Sequence, residues 1–111
     1  METKFNSQIC TSRSQSERIL ALGLKMETAD MVWLDYSLYP DVEDWRICAD
    51  YEDWGTWQEG GIPAWSLHRL IILIGNIACD WIFRNDDYYT NAINCIEWLI
   101  KKGYFNKEYL V

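Results

Sequence analysis

Few side chains in this sequence could carry catalysis. His68 is the only histidine, so one chain cannot build a multi-histidine metal site. A Ser-His-Asp triad would have to use His68, and no serine stands in a G-x-S-x-G motif. His68 has apolar neighbours in a predicted helix, where a structural hydrogen bond is its expected role. The sequence therefore predicts no catalytic residue and a protein that is not an enzyme.

The four cysteines also fail to form a recognisable site. Cys10, Cys48, Cys79 and Cys95 contain no C-x-x-C pair, and their spacing fits no zinc pattern. Cys48, Cys79 and Cys95 have apolar neighbours and are expected to be small buried hydrophobes. Cys10 lies in a polar stretch and could be exposed.

A calcium site is the next chemistry to test, in the run DYEDWGTWQEGG. Asp50, Glu52 and Gly55 match positions 1, 3 and 6 of an EF-hand loop. Trp54 and Gly61 stand at positions 5 and 12, so the bidentate glutamate that completes the calcium shell is missing. No phosphate-binding glycine motif is present either. We therefore expect no metal and no cofactor.

The negative charge is concentrated in one region. The net charge is −7, and Glu27 to Glu59 holds ten acidic residues against one basic residue, Arg46. The negative electrostatic potential of this region repels phosphate backbones and attracts basic protein surfaces. The stretch ERILALGLKMETADMVWL has a helix-turn-helix rhythm, but Asp30 and Asp35 would face the phosphates. Direct nucleic-acid binding is therefore disfavoured, while acidity that only maintains solubility stays open.

Aromatic side chains coincide with this charge between Asp41 and Gly61, DVEDWRICADYEDWGTWQEGG. Trp54 and Trp57 lie there in a glycine-bounded loop. They could fold back as a lid, anchor a basic partner protein, or stack on a sugar or another small ligand. We favour the basic partner, and the predicted partner-binding residues are Trp54, Trp57, Asp41, Glu43, Asp44, Glu52 and Asp53.

Periodicity predicts three helices and three strands. The helices are expected over 15–22, 67–74 and 88–102, and the strands over 31–34, 45–51 and 77–84. Ser14 and Glu17 fit a capping box for the first helix. Ser66 fits the N-cap of the second and Gly75 its end, and its apolar residues should be covered on most sides, although 70–74 is also compatible with a strand. Asp86 or Asp87 would cap the third, which has an apolar stripe and Gly103 as its stop. The apolar tail that follows should dock back on the domain. The predicted fold is α+β in the order α-β-β-α-β-α, with a small three-stranded antiparallel or mixed sheet.

The bulk composition fits one domain. The chain has 111 residues, half of them hydrophobic, enough for a single core. Residues 1–13 are polar and expected to be loosely held. No secretory signal is apparent, and the longest apolar run, Leu70–Ile74, is too short to span a bilayer. We expect a soluble, cytoplasmic protein that does not enter membranes.

Three stretches together resemble a known group of proteins: SQSERILALGLKMETADM (14–31), IPAWSLHRLI (62–71) and AINCIEWLIKKGYFNKEYL (92–110). They resemble small uncharacterised proteins of phages, prophages and mobile elements of gut Bacteroidales. That family has no assigned activity, so it supplies no functional residues. The resemblance implies an accessory protein of a mobile element inside a bacterial cell. We therefore predict an acidic interaction module, such as an inhibitor of a host defence or nucleic-acid-handling protein.

Overall fold

The computed structural model describes residues 8–48, 61–75 and 87–111. Three α-helices lie in this part of the chain: α1 (Arg13–Ala21), α2 (Leu67–Ile74) and α3 (Tyr88–Lys102). Three strands accompany them: β1 (Met31–Asp35), β2 (Trp45–Cys48) and β3 (Ile62–Ala64). Short 3-10 turns at Met26–Thr28 and Lys107–Tyr109 complete the elements. The predicted α+β class, with a three-stranded sheet and three helices, is confirmed.

The sheet is antiparallel throughout, with the strand order β2-β1-β3. Its third strand, Ile62–Ala64, was not among the strands predicted from the sequence. Pro63 of β3 pairs with Val32 of β1. Proline lacks a backbone donor, which is tolerated because β3 lies at a sheet edge. The predicted strand 77–84 lies outside the described residues.

Helix α1 begins two residues earlier than predicted. Ser12, not Ser14, is the N-cap, and its partner in the capping box is Gln15, not Glu17. The Ser12 Oγ accepts from the Gln15 backbone amide, and the Gln15 side chain accepts from the Ser12 amide. Both pairs satisfy the S-x-x-E/Q pattern, so the pattern did not distinguish them.

The stretch before α1 is also more ordered than predicted. Cys10 is only 2% exposed, and Thr11 is fully buried. The Thr11 amide donates to the Trp65 carbonyl at 2.8 Å, and the Trp65 amide donates back to the Thr11 hydroxyl at 3.1 Å. The Trp33 indole donates to the Thr11 carbonyl. The polar composition of residues 1–13 therefore did not reveal that Cys10 and Thr11 are buried against the rest of the protein.

The core lies among the three helices and the C-terminal segment. Trp65, Leu70, Ile93 and Ile96 are all 0% exposed within one buried cluster. Helix α3 supplies more of that cluster than any other element through the predicted apolar stripe, whose spacing of three and four residues keeps it on one face. Phe105 is buried against the same cluster. The prediction that the tail docks back on the domain is confirmed.

Helix α2 is an amphipathic helix and not a strand. Ser66 caps it, and Gly75 ends it with a φ of +73°, as the sequence indicated. Leu73 and Ile74 are buried, but Ile71 and Ile72 are 40% and 49% exposed. We expected this helix to be covered on most sides, and that prediction is wrong. Within the described ranges no helix has the length and apolarity needed to cross a membrane.

Candidate interaction surface

Three acidic residues of the predicted partner-binding set fall within the described residues, and they lie together in one connection between strands. Asp41, Glu43 and Asp44 belong to the segment that joins β1 to β2. Asp41 and Glu43 are exposed, and Asp44 is half-buried. The other predicted members, Trp54, Trp57, Glu52 and Asp53, lie outside the described residues, as does the candidate calcium loop.

Proline and a serine hydroxyl shape the tip of this hairpin. The Val42 amide donates to the Tyr39 carbonyl at 3.2 Å, which closes a turn with Pro40 at its second position. Proline is favoured there because its fixed φ suits the turn. The Ser37 hydroxyl donates to the Tyr39 carbonyl and accepts from the Tyr39 amide. These bonds hold the tip in one conformation.

A carboxylate fastens the base of the hairpin. The Asp35 Oδ1 atom accepts from the backbone amides of Asp44 and Ser37, each at 2.9 Å. The bond from Asp44, followed by that from Ser37, lowers the pKa of Asp35 below its ordinary value. The Tyr36 amide donates to the Asp44 carbonyl at 2.8 Å and extends the strand pairing by one step. Asp35 therefore has a structural role.

Apolar side chains at the tip are open to solvent. Leu38 is 91% exposed, Tyr39 69%, Val42 54% and Tyr36 47%. A tight turn cannot fold such neighbouring side chains into a core, so they remain on the outside. A cluster of exposed apolar side chains surrounded by polar residues is typical of an interaction site. We call the hairpin surface these exposed side chains with their acidic neighbours: Tyr36, Leu38, Tyr39, Val42, Asp41, Glu43 and Asp44.

Among the described residues, two arginines contact the hairpin, and each lies against an aromatic ring and a carboxylate. Arg13, at the start of α1, stands 4.8 Å from the centroid of the Trp45 ring and 3.7 Å from the Glu43 carboxylate. Arg46 stands 5.4 Å from the Tyr36 ring and bonds both Asp44 carboxylate oxygens. Consecutive strand residues point to opposite faces, so Trp45 and Arg46 place these clusters on the two faces of the hairpin.

A cavity offers a second place where a ligand could bind. It has a volume of about 320 Å³ and lies between the Met26–Thr28 turn, α2 and the C-terminal turn. Its wall combines charged groups such as Lys25 and Arg69 with the apolar Ile72 and Leu73. In the described ranges, no group of three or more His, Cys, Asp or Glu side chains could hold a metal ion.

The cysteines and histidine of the described ranges show no reactive arrangement. Burial raises the pKa of the Cys10 thiol to about 11, and the Asp30 charge acts in the same direction. A thiol in that state is protonated at neutral pH and a poor nucleophile. The sequence suggested that Cys10 could be exposed, and the structure corrects this. Cys95 is buried as predicted, Cys48 is half-buried, and His68 is exposed on α2.

Sequence reasoning missed the apolar half of the hairpin surface. It sought anchors among the tryptophans and chose Asp41, Glu43 and Asp44 for their charge alone. The signal was present, because Tyr36, Leu38, Tyr39 and Val42 flank a proline turn. Apolar residues at such a turn have no core within reach.

Comparison with known proteins gave no guide to function. Neither models of protein families nor curated proteins nor solved structures contain a match to this chain.

Proposed function

We propose that this protein is a non-enzymatic interaction module that binds a basic protein surface through its hairpin surface. The observation that carries the proposal is the coincidence of exposed apolar side chains with carboxylates on one ordered turn. Leu38 and Tyr39 supply the apolar centre, and Asp41 and Glu43 supply the surrounding charge.

The apolar side chains account for affinity. Most binding energy in protein interfaces comes from a few large side chains that lose water on contact. Leu38 is 91% and Tyr39 69% exposed, so both have much surface left to bury. The hydrogen bonds of Ser37 hold Tyr39 before a partner arrives. An ordered turn loses little entropy on binding, which favours affinity.

The carboxylates account for the type of partner. Asp41 and Glu43 are exposed, and the acid-rich region from Glu27 to Glu59 contains them. A field of this sign attracts lysine- and arginine-rich surfaces and raises their association rate. It also repels nucleic-acid backbones. A basic protein is therefore the partner that this chemistry suits.

The resemblance to proteins of mobile elements supports a setting for this interaction. In that setting the module acts in the bacterial cytoplasm, and its target is a host-defence or nucleic-acid-handling protein. Such targets present basic surfaces because they bind phosphate backbones. An acidic module that covers such a surface would inhibit its nucleic-acid binding.

Affinity capture from a Bacteroidales lysate, followed by titration of the purified partner, tests the proposal. We expect the enriched partner to be basic and to bind more weakly as salt rises. The variant Leu38→Ser/Tyr39→Ser should raise its Kd by more than about tenfold, because it removes the apolar centre. Asp41→Asn/Glu43→Gln should slow association and reduce the salt dependence.

Matched controls remove similar side chains elsewhere. Ile72→Ser/Tyr104→Ser also replaces an aliphatic residue and a tyrosine that are 49% and 60% exposed. Glu27→Gln/Glu108→Gln removes two exposed carboxylates. Both control variants should keep the wild-type Kd. Equal binding by the Leu38→Ser/Tyr39→Ser variant, or a partner with an acidic binding surface, would contradict the proposal.

The cavity beside α2 favours small-ligand binding as a second candidate function. Its mixture of charged and apolar walls suits a small polar molecule with an apolar part. Titration of ¹⁵N-labelled protein with a panel of sugars and metabolites would test it. Shifts confined to Ile72, Leu73 and Tyr109 would support this function, whereas an unchanged spectrum across the panel would remove it.

A further inference from the structure

The hairpin already holds one arginine of its own chain. The Arg13 guanidinium carbon stands 4.8 Å from the Trp45 ring centroid, and its NH1 atom lies 3.7 Å from the Glu43 carboxylate. An aromatic face and a carboxylate together suit a guanidinium, which is planar, stacks on rings and pairs with carboxylates.

A second arginine on the same hairpin repeats the arrangement. Arg46 stands 5.4 Å from the Tyr36 ring centroid and donates to Asp44 at 2.8 and 3.3 Å. Strand alternation puts this cluster on the opposite face from Trp45. In the part of the chain that the structure describes, both arginines that contact the hairpin are therefore held by a ring and a carboxylate.

The position of Arg13 in α1 makes its contact easy to displace. Arg13 is the first residue of the helix, and no acidic residue lies in that first turn. The helix dipole is positive at this end and disfavours a cation there. The Arg13 side chain is 44% exposed, and that of Glu43 70%. Solvent competes strongly for such a pair, so an incoming guanidinium could replace it.

We infer that Trp45 and Glu43 form a binding site for an arginine side chain of the partner protein, and that Arg13 occupies this site in the free protein. The inference rests on the proposed function and specifies it in two ways. The partner contributes arginine in preference to lysine, since the flat guanidinium uses the ring and the carboxylate together. Arg13 acts as an intramolecular competitor that lowers the affinity of the free module.

Replacing Arg13 should therefore strengthen binding. In Arg13→Gln the competitor is gone and the local negative charge increases. The Arg13 contact that a partner arginine must displace consists of an exposed stacking contact and an exposed ion pair, and the helix dipole weakens it. Removing this competitor should raise the affinity for the partner by roughly two- to tenfold. Lys102→Gln removes the same charge from the exposed end of α3 and should change affinity by less than about twofold, because screening weakens distant charges.

The probe is a fluorescein-labelled peptide of alternating arginine and glycine, compared with its lysine counterpart by anisotropy. We expect the wild type to prefer the arginine peptide and Arg13→Gln to bind it more tightly. Adding Glu43→Gln to Arg13→Gln should remove that gain. Both substitutions lie at exposed positions, and thermal unfolding verifies that the variants fold.

Two outcomes separate this inference from the proposed function. If Arg13→Gln binds the arginine peptide no better than the wild type, while Leu38→Ser/Tyr39→Ser still weakens the captured partner, the arginine site is refuted and the interaction module stands. Equal affinity for the lysine peptide likewise refutes the arginine site. If neither the peptides nor a captured partner binds in a hairpin-dependent way, both proposals are refuted.

Discussion

Replacement of Trp65 by phenylalanine tests how the indole joins the Met26–Thr28 turn to the core. Trp65 is 0% exposed, and its Nε1 atom donates to the Thr28 hydroxyl at 3.0 Å. Loss of part of a fully buried ring costs about 1–2 kcal/mol in burial and cavity formation. The lost hydrogen bond adds about 1 kcal/mol. We predict that Trp65→Phe lowers the free energy of unfolding by roughly 2–3 kcal/mol.

Two further tryptophans provide matched controls because their Nε1 atoms differ in bonding. Trp33 is half-buried and donates to the Thr11 carbonyl at 2.9 Å, so Trp33→Phe should cost about 1–1.5 kcal/mol. The Nε1 of half-buried Trp45 is itself buried and has no hydrogen-bond partner among the described residues. Trp45→Phe removes this unpaired donor and should therefore be nearly neutral, within about 0.5 kcal/mol.

Urea unfolding followed by far-UV circular dichroism measures these differences without depending on tryptophan fluorescence. At a urea m value of about 1.5 kcal/mol/M, Trp65→Phe should lower the midpoint by roughly 1.3–2 M. Thr28→Val removes the acceptor and also the bond that the Thr28 hydroxyl donates to the Lys25 carbonyl at 2.7 Å. Its effect should be partly non-additive with that of Trp65→Phe, because the two substitutions share the bond between Trp65 and Thr28. A loss at Trp45→Phe as large as that at Trp65→Phe would refute the reasoning.

The remaining predictions concern a cap, a glycine and a thiol. Ser12→Ala should lower stability by about 1 kcal/mol and Ser14→Ala by less than about 0.5 kcal/mol in thermal unfolding, because Ser12 is the N-cap. Gly103 has a φ of +75° with open space around it. Gly103→Ala should therefore cost about 1 kcal/mol from backbone strain alone. The raised pKa of Cys10 means that the folded state retains its proton. The stability that the protonated Cys10 thiol contributes is fully present below its ordinary pKa of 9.0 and is lost as the pH rises toward 11. As the pH rises over this range, the urea midpoint of Cys10→Ala should fall less than that of the wild type. An equal fall in the two proteins would contradict the raised pKa of Cys10.

The long apolar helices could be predicted because local signals agreed. The bounds of α3, Tyr88–Lys102, match the prediction from the apolar stripe, an aspartate cap and a glycine stop. Ser66 and Gly75 marked the ends of helix α2, although its apolar run 70–74 was also compatible with a strand. Where a cap, a periodic face and a stop residue coincide, tertiary contacts have little left to decide.

Long-range contacts decided the elements that the sequence missed. Strand β3 exists because Pro63 and its neighbours pair with β1, about thirty residues earlier in the chain. No local pattern in a three-residue segment that contains proline indicates a strand. Likewise, Cys10 and Thr11 look polar in sequence but are buried because Thr11 bonds with Trp65.

The candidate site was half predictable. Charge counting located Asp41, Glu43 and Asp44, because a run of acids is visible without coordinates. The apolar centre was not found, since exposure depends on which side chains the fold leaves uncovered. The ring contacts of Arg13 could not be predicted either, because they depend on where α1 meets the hairpin.

Backbone chemical-shift mapping with the captured basic partner tests the central claim most directly. The claim is that the hairpin surface is where this protein binds. On titration of ¹⁵N-labelled protein, we predict that the largest amide shifts fall within residues 36–46, with a further response at Arg13. Shifts that instead concentrate on α2 and α3 and leave Leu38 and Tyr39 unchanged would contradict the claim.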